Sequence, residues 1–162
     1  MNGYRKTTNI EKTMVTNSHN NLPEIRLKQM IDKLKESDFR ITPQRYAVLN
    51  VLANSPDHPS AESIYAELVD HFPTMSLATV YKTISLLKRE GEILELEFSD
   101  LGNRYDGKKP YPHPHVICTI CGRIIDPSPL NLDEITSKMM EETGFKILTH
   151  RLDFYGICPD CQ

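Results

Sequence analysis

The sequence predicts an α/β (α+β) chain in two units, a helical first half closed by a β-hairpin and a small mixed second half. Three observations carry that expectation. Apolar residues recur at helical spacing in four successive stretches between residues 22 and 91. A short apolar run and a turn-rich stretch follow, and beyond the proline-rich segment KKPYPHP, strand-like runs surround a single helical stretch. All four cysteines lie in this last part, as two Cys-x-x-Cys pairs.

Residues 1–21 mix Asn, Thr and Lys without apolar periodicity and are expected to form a disordered arm. Ile25, Leu27, Met30, Ile31 and Leu34 then mark a first helix, ending near Ser37 and Asp38. Thr42-Pro43 is a helix start, because the hydroxyl caps orphan amides and proline tolerates the first turn. Ala47, Val48, Val51 and Leu52 continue that helix to about Asn54. Ser60 caps a third helix carrying Ile64, Tyr65, Leu68 and Val69, expected to stop at Phe72 because Pro73 disfavours helical backbone before it. After a three-residue break Ser76 opens a fourth helix, with Val80, Ile84 and Leu87 facing inward and Gly91 closing it. Two helices joined so closely make a helix-turn-helix candidate. A hairpin directly behind it, from Ile93 to Phe98 and back through Arg104 and Asp106, is a wing.

The prolines of KKPYPHP favour extended backbone and donate no ladder hydrogen bonds, so this stretch is expected to be a hinge. The expected organisation is an arm (1–21), a winged-helix domain (22–107), a hinge (108–112) and a small α/β domain (113–162). Within the last, strands are expected at 115–117 and 123–125, a helix from Leu132 to about Thr143, and a strand over 146–155. Asn131 and Glu134 resemble a capping box. A unit of about 50 residues leans on metal or on oligomerisation.

The chain has 162 residues, 39% of them hydrophobic, enough for one sizeable core or two small ones. Its net charge of -3 is uneven: residues 1–92 hold 12 Lys/Arg against 11 Asp/Glu, and residues 93–162 hold 7 against 11. A nucleic-acid surface is therefore local. No apolar run is long enough to span a membrane and the first residues lack a secretory core, so a cytoplasmic location without membrane association is expected.

In SLATVYKTISLLKREG, Thr79, Lys82, Thr83 and Arg89 are expected opposite the apolar face, with Tyr81 alongside. Ser76 and Thr79 in the first turn suit phosphate, Lys82 suits phosphate or a base edge, and Tyr81 suits a thymine methyl. An ordinary basic surface helix fits the same pattern. Arg45 and Lys35 offer backbone contacts or are solvated charges. A single copy so lightly charged binds weakly, and a homodimer on a palindromic operator in double-stranded DNA is the natural remedy.

HPHVICTICGRIID holds donors for two sites. In an extended stretch His113 and His115 share one face and Cys118 takes the other. Four thiolates, Cys118, Cys121, Cys158 and Cys161, complete a tetrahedral Zn(II) set without histidine. A redox Cys-x-x-Cys would lead into a helix, whereas GRII reads as strand. His113, His115 and Asp126 leave positions open on Fe(II), Mn(II) or Zn(II). His58 and Asp106, across the hinge, are candidate further ligands; a loop histidine and a turn acid are the alternatives. A zinc deaminase pairs His-x-Glu with Pro-Cys-x-x-Cys, and no such glutamate follows either histidine.

The stretches RITPQRYAVLNVL, HPSAESIY, ATVYKTISLL, NRYDG, HPHVICTICGRIID and TGFKILTHRLDFYGICPDC together resemble the ferric uptake regulator family, over about residues 25–161. The resemblance implies a dimeric, metal-dependent repressor and not an enzyme. It implies 22–107 as the DNA-binding domain and 113–162 as the dimerisation and zinc-binding domain, with structural zinc on the four cysteines and a regulatory metal at the hinge. The chain is most similar to the family's peroxide-sensing branch, whose regulatory Fe(II) or Mn(II) ligands match His58, Asp106, His113, His115 and Asp126. Iron-sensing members carry glutamate where Asp126 stands. Peroxide reacting at bound iron is then expected to oxidise His58 or His113 to 2-oxo-histidine, releasing the metal and the DNA. The alternative within the family is an iron-responsive repressor of metal-uptake genes. Pro112 and Pro114, bracketing His113, depart from the family pattern.

Overall fold

The computed structural model describes residues 22–98, 102–127 and 132–162. The expected arm at 1–21, residues 99–101 of the expected turn, and Asn131 of the expected capping box lie outside the described residues.

The first unit contains helices α1 (Leu22–Glu36), α2 (Pro43–Asn54), α3 (Ala61–Leu68) and α4 (Leu77–Arg89). Three of them start on a hydroxyl. Thr42, Ser60 and Ser76 accept the amides of Arg45, Ser63 and Thr79 at 3.2, 3.1 and 3.2 Å. Met30 and Leu34 from α1, Val48, Leu49 and Leu52 from α2, Ile64 from α3, and Val80 and Leu87 from α4 fill one core. Helix α3 ends at Leu68, short of the expected Phe72. Residues 69–71 continue as turns, with the His71 and Phe72 amides both donating to the Leu68 carbonyl. The bias from Pro73 thus acts on a chain that has already left the α-helix, and seven residues instead of three separate Leu68 from the capping Ser76.

Strands β1 (Leu94–Leu96) and β2 (Arg104–Asp106) pair antiparallel, with Leu94 opposite Asp106. The Tyr105 amide donates to the Pro59 carbonyl at 3.0 Å, which fastens this wing to the loop before α3. Gly107 follows where the chain presses on α2. A β-carbon there would stand 2.6 Å from the Leu52 carbonyl oxygen and 2.8 Å from the Leu52 Cβ, both on a helix that cannot yield locally. Arg26, buried on α1, donates its Nε to the Gly107 carbonyl at 2.7 Å and pairs with Glu92 at 2.7 Å. Gly107→Ala is therefore expected to cost about 1–3 kcal/mol in chemical denaturation through backbone displacement; an unchanged midpoint would show that the close approach is not needed.

The second unit holds β3 (His115–Cys118), β4 (Ile124–Ile125), α5 (Leu132–Thr143), β5 (Asp153–Gly156) and a 3₁₀ turn (Pro159–Cys161). Strand order is β4-β3-β5, antiparallel between β3 and β4 and parallel between β3 and β5. The strand expected over 146–155 forms only at its end and runs on to Gly156. Strand β3 has four residues, and its register from His115 with Asp153 to Cys118 with Gly156 uses all of them. Residues 144–152 have no partner strand among the described residues. A small apolar cluster of Leu96, Ile117 and Ile124, joined by Leu94 and Phe98, packs the wing onto this sheet. No residue of α5 is buried, and Ile135, Met139 and Met140 lie exposed. Among the described residues, no helix is long and apolar enough to cross a membrane.

Candidate metal centres and nucleic-acid face

The parallel pairing of β3 with β5 sets Cys118 beside Gly156, which carries the chain end back to the first Cys-x-x-Cys. Each pair sits in a turn closed onto its first cysteine: the Gly122 amide donates to Cys118 O at 2.9 Å, and the Cys161 and Gln162 amides donate to Cys158 O at 2.9 and 3.2 Å. Gly122 takes φ 70°, a left-handed conformation that glycine adopts without strain and that swings the chain from the turn into β4. One sulfur from each of Cys118, Cys121, Cys158 and Cys161 lies within 4.8 Å of the others. Cys121 Sγ and Cys158 Sγ are 3.7 Å apart, too far for a disulfide, whereas tetrahedral Zn–S bonds near 2.3 Å set sulfurs about 3.8 Å apart. Backbone amides of Cys121 and Cys158 aim at Cys118 and lower its thiol to about 6, so a thiolate is available near neutral pH. The sulfurs of Cys158 and Cys121 push Cys161 up to about 12, as crowded thiolates without a cation must. The four residues fit zinc.

The second cluster gathers His58, Asp106, His113, His115 and Asp126, again within 4.8 Å through one donor atom each. Its parts come from both units. His58 sits in the loop before α3, Asp106 ends β2, His113 lies in the proline-rich link, His115 starts β3, and Asp126 follows β4. His58 Nε2 stands 3.1 Å from Asp126 Oδ1 and 3.5 Å from Asp106 Oδ2, and His113 Nε2 is 3.3 Å from a carboxylate oxygen of each. His115 Nε2 is 3.9 Å from Asp126 Oδ1. An ion holding N and O donors at about 2.1 Å sets neighbouring donors roughly 3 Å apart and opposite ones about 4.2 Å apart.

Burial makes this cluster costly as it stands. His58 Nε2, Asp106 Oδ2, His113 Nε2, His115 Nε2 and Asp126 Oδ1 are all buried and lack a hydrogen-bond partner, one atom from each residue. Each such orphan costs about 1–3 kcal/mol, and five together rival the whole stability of a typical domain. A cation would satisfy all five at once. Burial opposes ionisation of Asp106, yet the imidazoles of His113 and His58 and the Lys109 amide outweigh it and hold the carboxyl far below the usual carboxylate range. Asp126 is also held low against burial, chiefly by Lys109, whose Nζ lies 2.7 Å from Oδ2. Burial and the neighbouring His113 and His58 keep His115 below the ordinary histidine range, which favours the neutral, ligating imidazole. Burial also opposes the charge on His113, but Asp106 and the Tyr111 carbonyl raise it overall.

Partners outside the five were missed from sequence. Tyr111 O accepts from His113 Nδ1 at 2.8 Å, which leaves Nε2 as the donor facing the cluster. Asp153 Oδ1 lies 3.4 Å from His115 Nδ1, close to that ring but without a formed hydrogen bond. Nothing in spacing marks a backbone carbonyl as an orienting group. Asp153 was legible only as a member of a longer strand. Open clefts border His58 on one side and His113 with His115 on the other.

On α4 the first turn presents Ser76, whose Oγ is 3.0 Å from Thr79 Oγ1, and Lys82 is exposed one turn further. Tyr81 is exposed too, but its hydroxyl donates to Glu62 Oε1 at 2.5 Å and ties α4 to α3. Thr83 was expected on this face and is instead buried, its hydroxyl donating to the Thr79 carbonyl at 3.0 Å. Threonine tolerates that position because the helix itself takes up its polar atom. Arg89 stays exposed, with its guanidinium over the Phe39 ring at 5.0 Å.

Comparison with known proteins decides the family. The profile of the Ferric uptake regulator family matches residues 36–155. The chain belongs to the ferric uptake regulator family. Among members, it is 43% identical over 136 residues to the Peroxide operon regulator of Bacillus subtilis strain 168, covering 84% of this chain and 93% of that protein. It is 40% identical over 139 residues to the Peroxide-responsive repressor PerR of Staphylococcus saprophyticus, covering 86% and 93%. Among solved members, the Helicobacter pylori ferric uptake regulator Fur, described as having three functional metal binding sites, superposes with a TM-score of 0.73 at 27% identity, covering 86% of this chain and 93% of that one. A zinc-bound manganese uptake regulator of the same fold gives 0.64 at 29% identity, covering 80% and 98%.

Proposed function

We propose that the chain is a metal-dependent transcriptional repressor of oxidative-stress genes that senses hydrogen peroxide through oxidation of a histidine ligand. The observation that carries this is the convergence of five buried, unpartnered N and O donors from both units on one point, distinct from the four sulfurs. The names of relatives at 43% and 40% identity support the peroxide assignment.

In this proposal residues 22–107 bind DNA, 108–112 form the hinge and 113–162 dimerise. Cys118, Cys121, Cys158 and Cys161 hold structural Zn(II), while His58, Asp106, His113, His115 and Asp126 hold exchangeable Fe(II) or Mn(II). Ligands on both sides of the hinge fix the angle between the units and so the separation of the two α4 helices in a dimer. Ser76, Thr79, Tyr81 and Lys82 face the DNA, and two copies meet a palindromic operator with half-sites about one helical turn or a multiple apart. The exposed apolar residues of α5 and of β5, Phe154 among them, supply the surface for the second copy. The assembly works in the cytoplasm, and no turnover is assigned to it.

Fe(II), when bound, supplies one-electron reduction of peroxide beside its own ligands. His58 and His113 each present Nε2 to the cluster, so the ring carbon next to that nitrogen is within reach of the oxidant, and each ring borders a cleft. In net terms the peroxide O–O bond would break, and one oxygen would replace hydrogen on that ring carbon as a carbonyl. The hydrogen would move to nitrogen and the other oxygen would leave as water, giving 2-oxo-histidine, a poorer donor. The remaining set then loses its link across the hinge, and the repressor leaves the operator.

The whole-chain likeness to the H. pylori iron regulator favours a second reading, an iron-responsive repressor of metal-uptake genes. Stoichiometric peroxide is expected to release the iron-loaded protein, but not the manganese-loaded protein, from a duplex selected out of a random-sequence library. Retention of the iron-loaded protein would favour the second reading.

A further inference from the structure

Arg151 lies in neither metal cluster, yet it touches the surroundings of one and the wing of the other unit. Its Nε donates to Asp153 Oδ2 at 2.5 Å, and a terminal nitrogen of the same guanidinium donates to the Glu97 carbonyl at 3.1 Å. The guanidinium also stacks over the Phe98 ring, 5.4 Å from its centre. Glu97 and Phe98 directly follow β1, and Phe98 belongs to the apolar cluster that seats the wing on β3 and β4. Asp153, in turn, faces His115 Nδ1 across 3.4 Å.

We propose that Arg151 is a positioning residue that latches the wing to the occupancy of the regulatory site, through Asp153 and His115. This rests on the function proposed above. As the structure stands, His115 Nδ1 and Asp153 Oδ1 are both buried and lack a well-formed hydrogen bond, so the imidazole is loosely held on that side. When Nε2 serves as a ligand, the ring proton resides on Nδ1 and bonds to Asp153, fixing the carboxylate. The second oxygen of that carboxylate is the one Arg151 holds. A guanidinium is planar, so fixing its Nε also fixes the direction in which its terminal nitrogen grips Glu97. The wing is thereby coupled to the metal by a route separate from the hinge. Arginine is required because the latch needs two donors aimed in different directions from one rigid plane; a lysine at this position reaches one acceptor at a time.

Amide hydrogen exchange on the full-length, zinc-loaded protein with and without Mn(II) tests this, reading segment 94–98 for the wing, segment 102–106, which carries the ligand Asp106, as a directly bound control, and 113–118 for the ligand strand. In the unsubstituted protein Mn(II) is expected to slow exchange in all three. In Arg151→Leu and in Arg151→Lys, at saturating Mn(II), the ligand strand is expected still to respond, while the Mn(II)-dependent slowing of the wing falls by about tenfold, the weight of a charge-assisted hydrogen bond. A purely structural role would speed wing exchange equally with and without Mn(II) and leave that ratio intact. Full retention of the wing response in either variant would overturn the latch. Absence of any Mn(II) response at 113–118 in the unsubstituted protein would instead overturn the regulatory-site assignment on which the latch depends.

Discussion

Cys118→Ser is expected to lose its bound zinc, and with it the fold of the second unit and the dimer, while the helices of the first unit persist. The asymmetry follows from where apolar area is buried. The first unit has a continuous core drawn from α1 to α4, whereas among the described residues the second contributes only Ile117 and Ile124 to a cluster whose third buried member, Leu96, belongs to the wing. Helix α5 buries nothing within one chain. Four-thiolate zinc sites contribute roughly 10–16 kcal/mol of apparent binding energy, more than such a core supplies. Cys118 is also the most deeply set of the four sulfurs and accepts the Cys158 amide, so the serine variant loses an anchor as well as a ligand. Zinc content by elemental analysis, sedimentation and helical circular dichroism measure the three parts. A variant that stays dimeric without zinc would show that the cysteines are not the staple.

His115→Ala is expected to behave in the opposite way: zinc and dimer are kept, and Mn(II)-dependent DNA binding is lost. His115 is 1% exposed, and its Nε2 is one of the five orphaned donors. Losing a partner that merely orients a ligand costs about 10- to 100-fold in metal affinity, and losing the ligand itself costs more. Direct Mn(II) titration and DNA retardation at fixed Mn(II) measure the two effects. If this variant and Cys118→Ser lost the same ion, the division into two sites would be wrong.

Elements with strong local signals were legible in the sequence. Thr42, Ser60 and Ser76 cap where hydroxyls precede apolar periodicity, because capping involves only the next three residues. The end of α3 and the extent of β5 were not, because turns after Leu68 and the length of β3 decide them. Thr83 was misplaced because a polar letter on a helix does not reveal that its hydroxyl bonds back to the preceding turn. The arrangement of donors divides in the same way. Alternation along HPHVIC separates imidazole from thiol locally, but the meeting of His58 and Asp106 with His113 depends on the Tyr105 bond to Pro59 and on Gly107 lying against Leu52. Neither contact has a sequence signature.

In the proposed function the buried His/Asp cluster is a replaceable sensor whose own ligands are oxidised. Iron-loaded protein exposed to stoichiometric peroxide, digested and mapped by mass spectrometry, tests this most directly. Gain of one oxygen atom on the peptide containing His58 or His113, absent from manganese-loaded protein, is the expected result. Oxidation confined to the four cysteines, with both histidines intact, would contradict it.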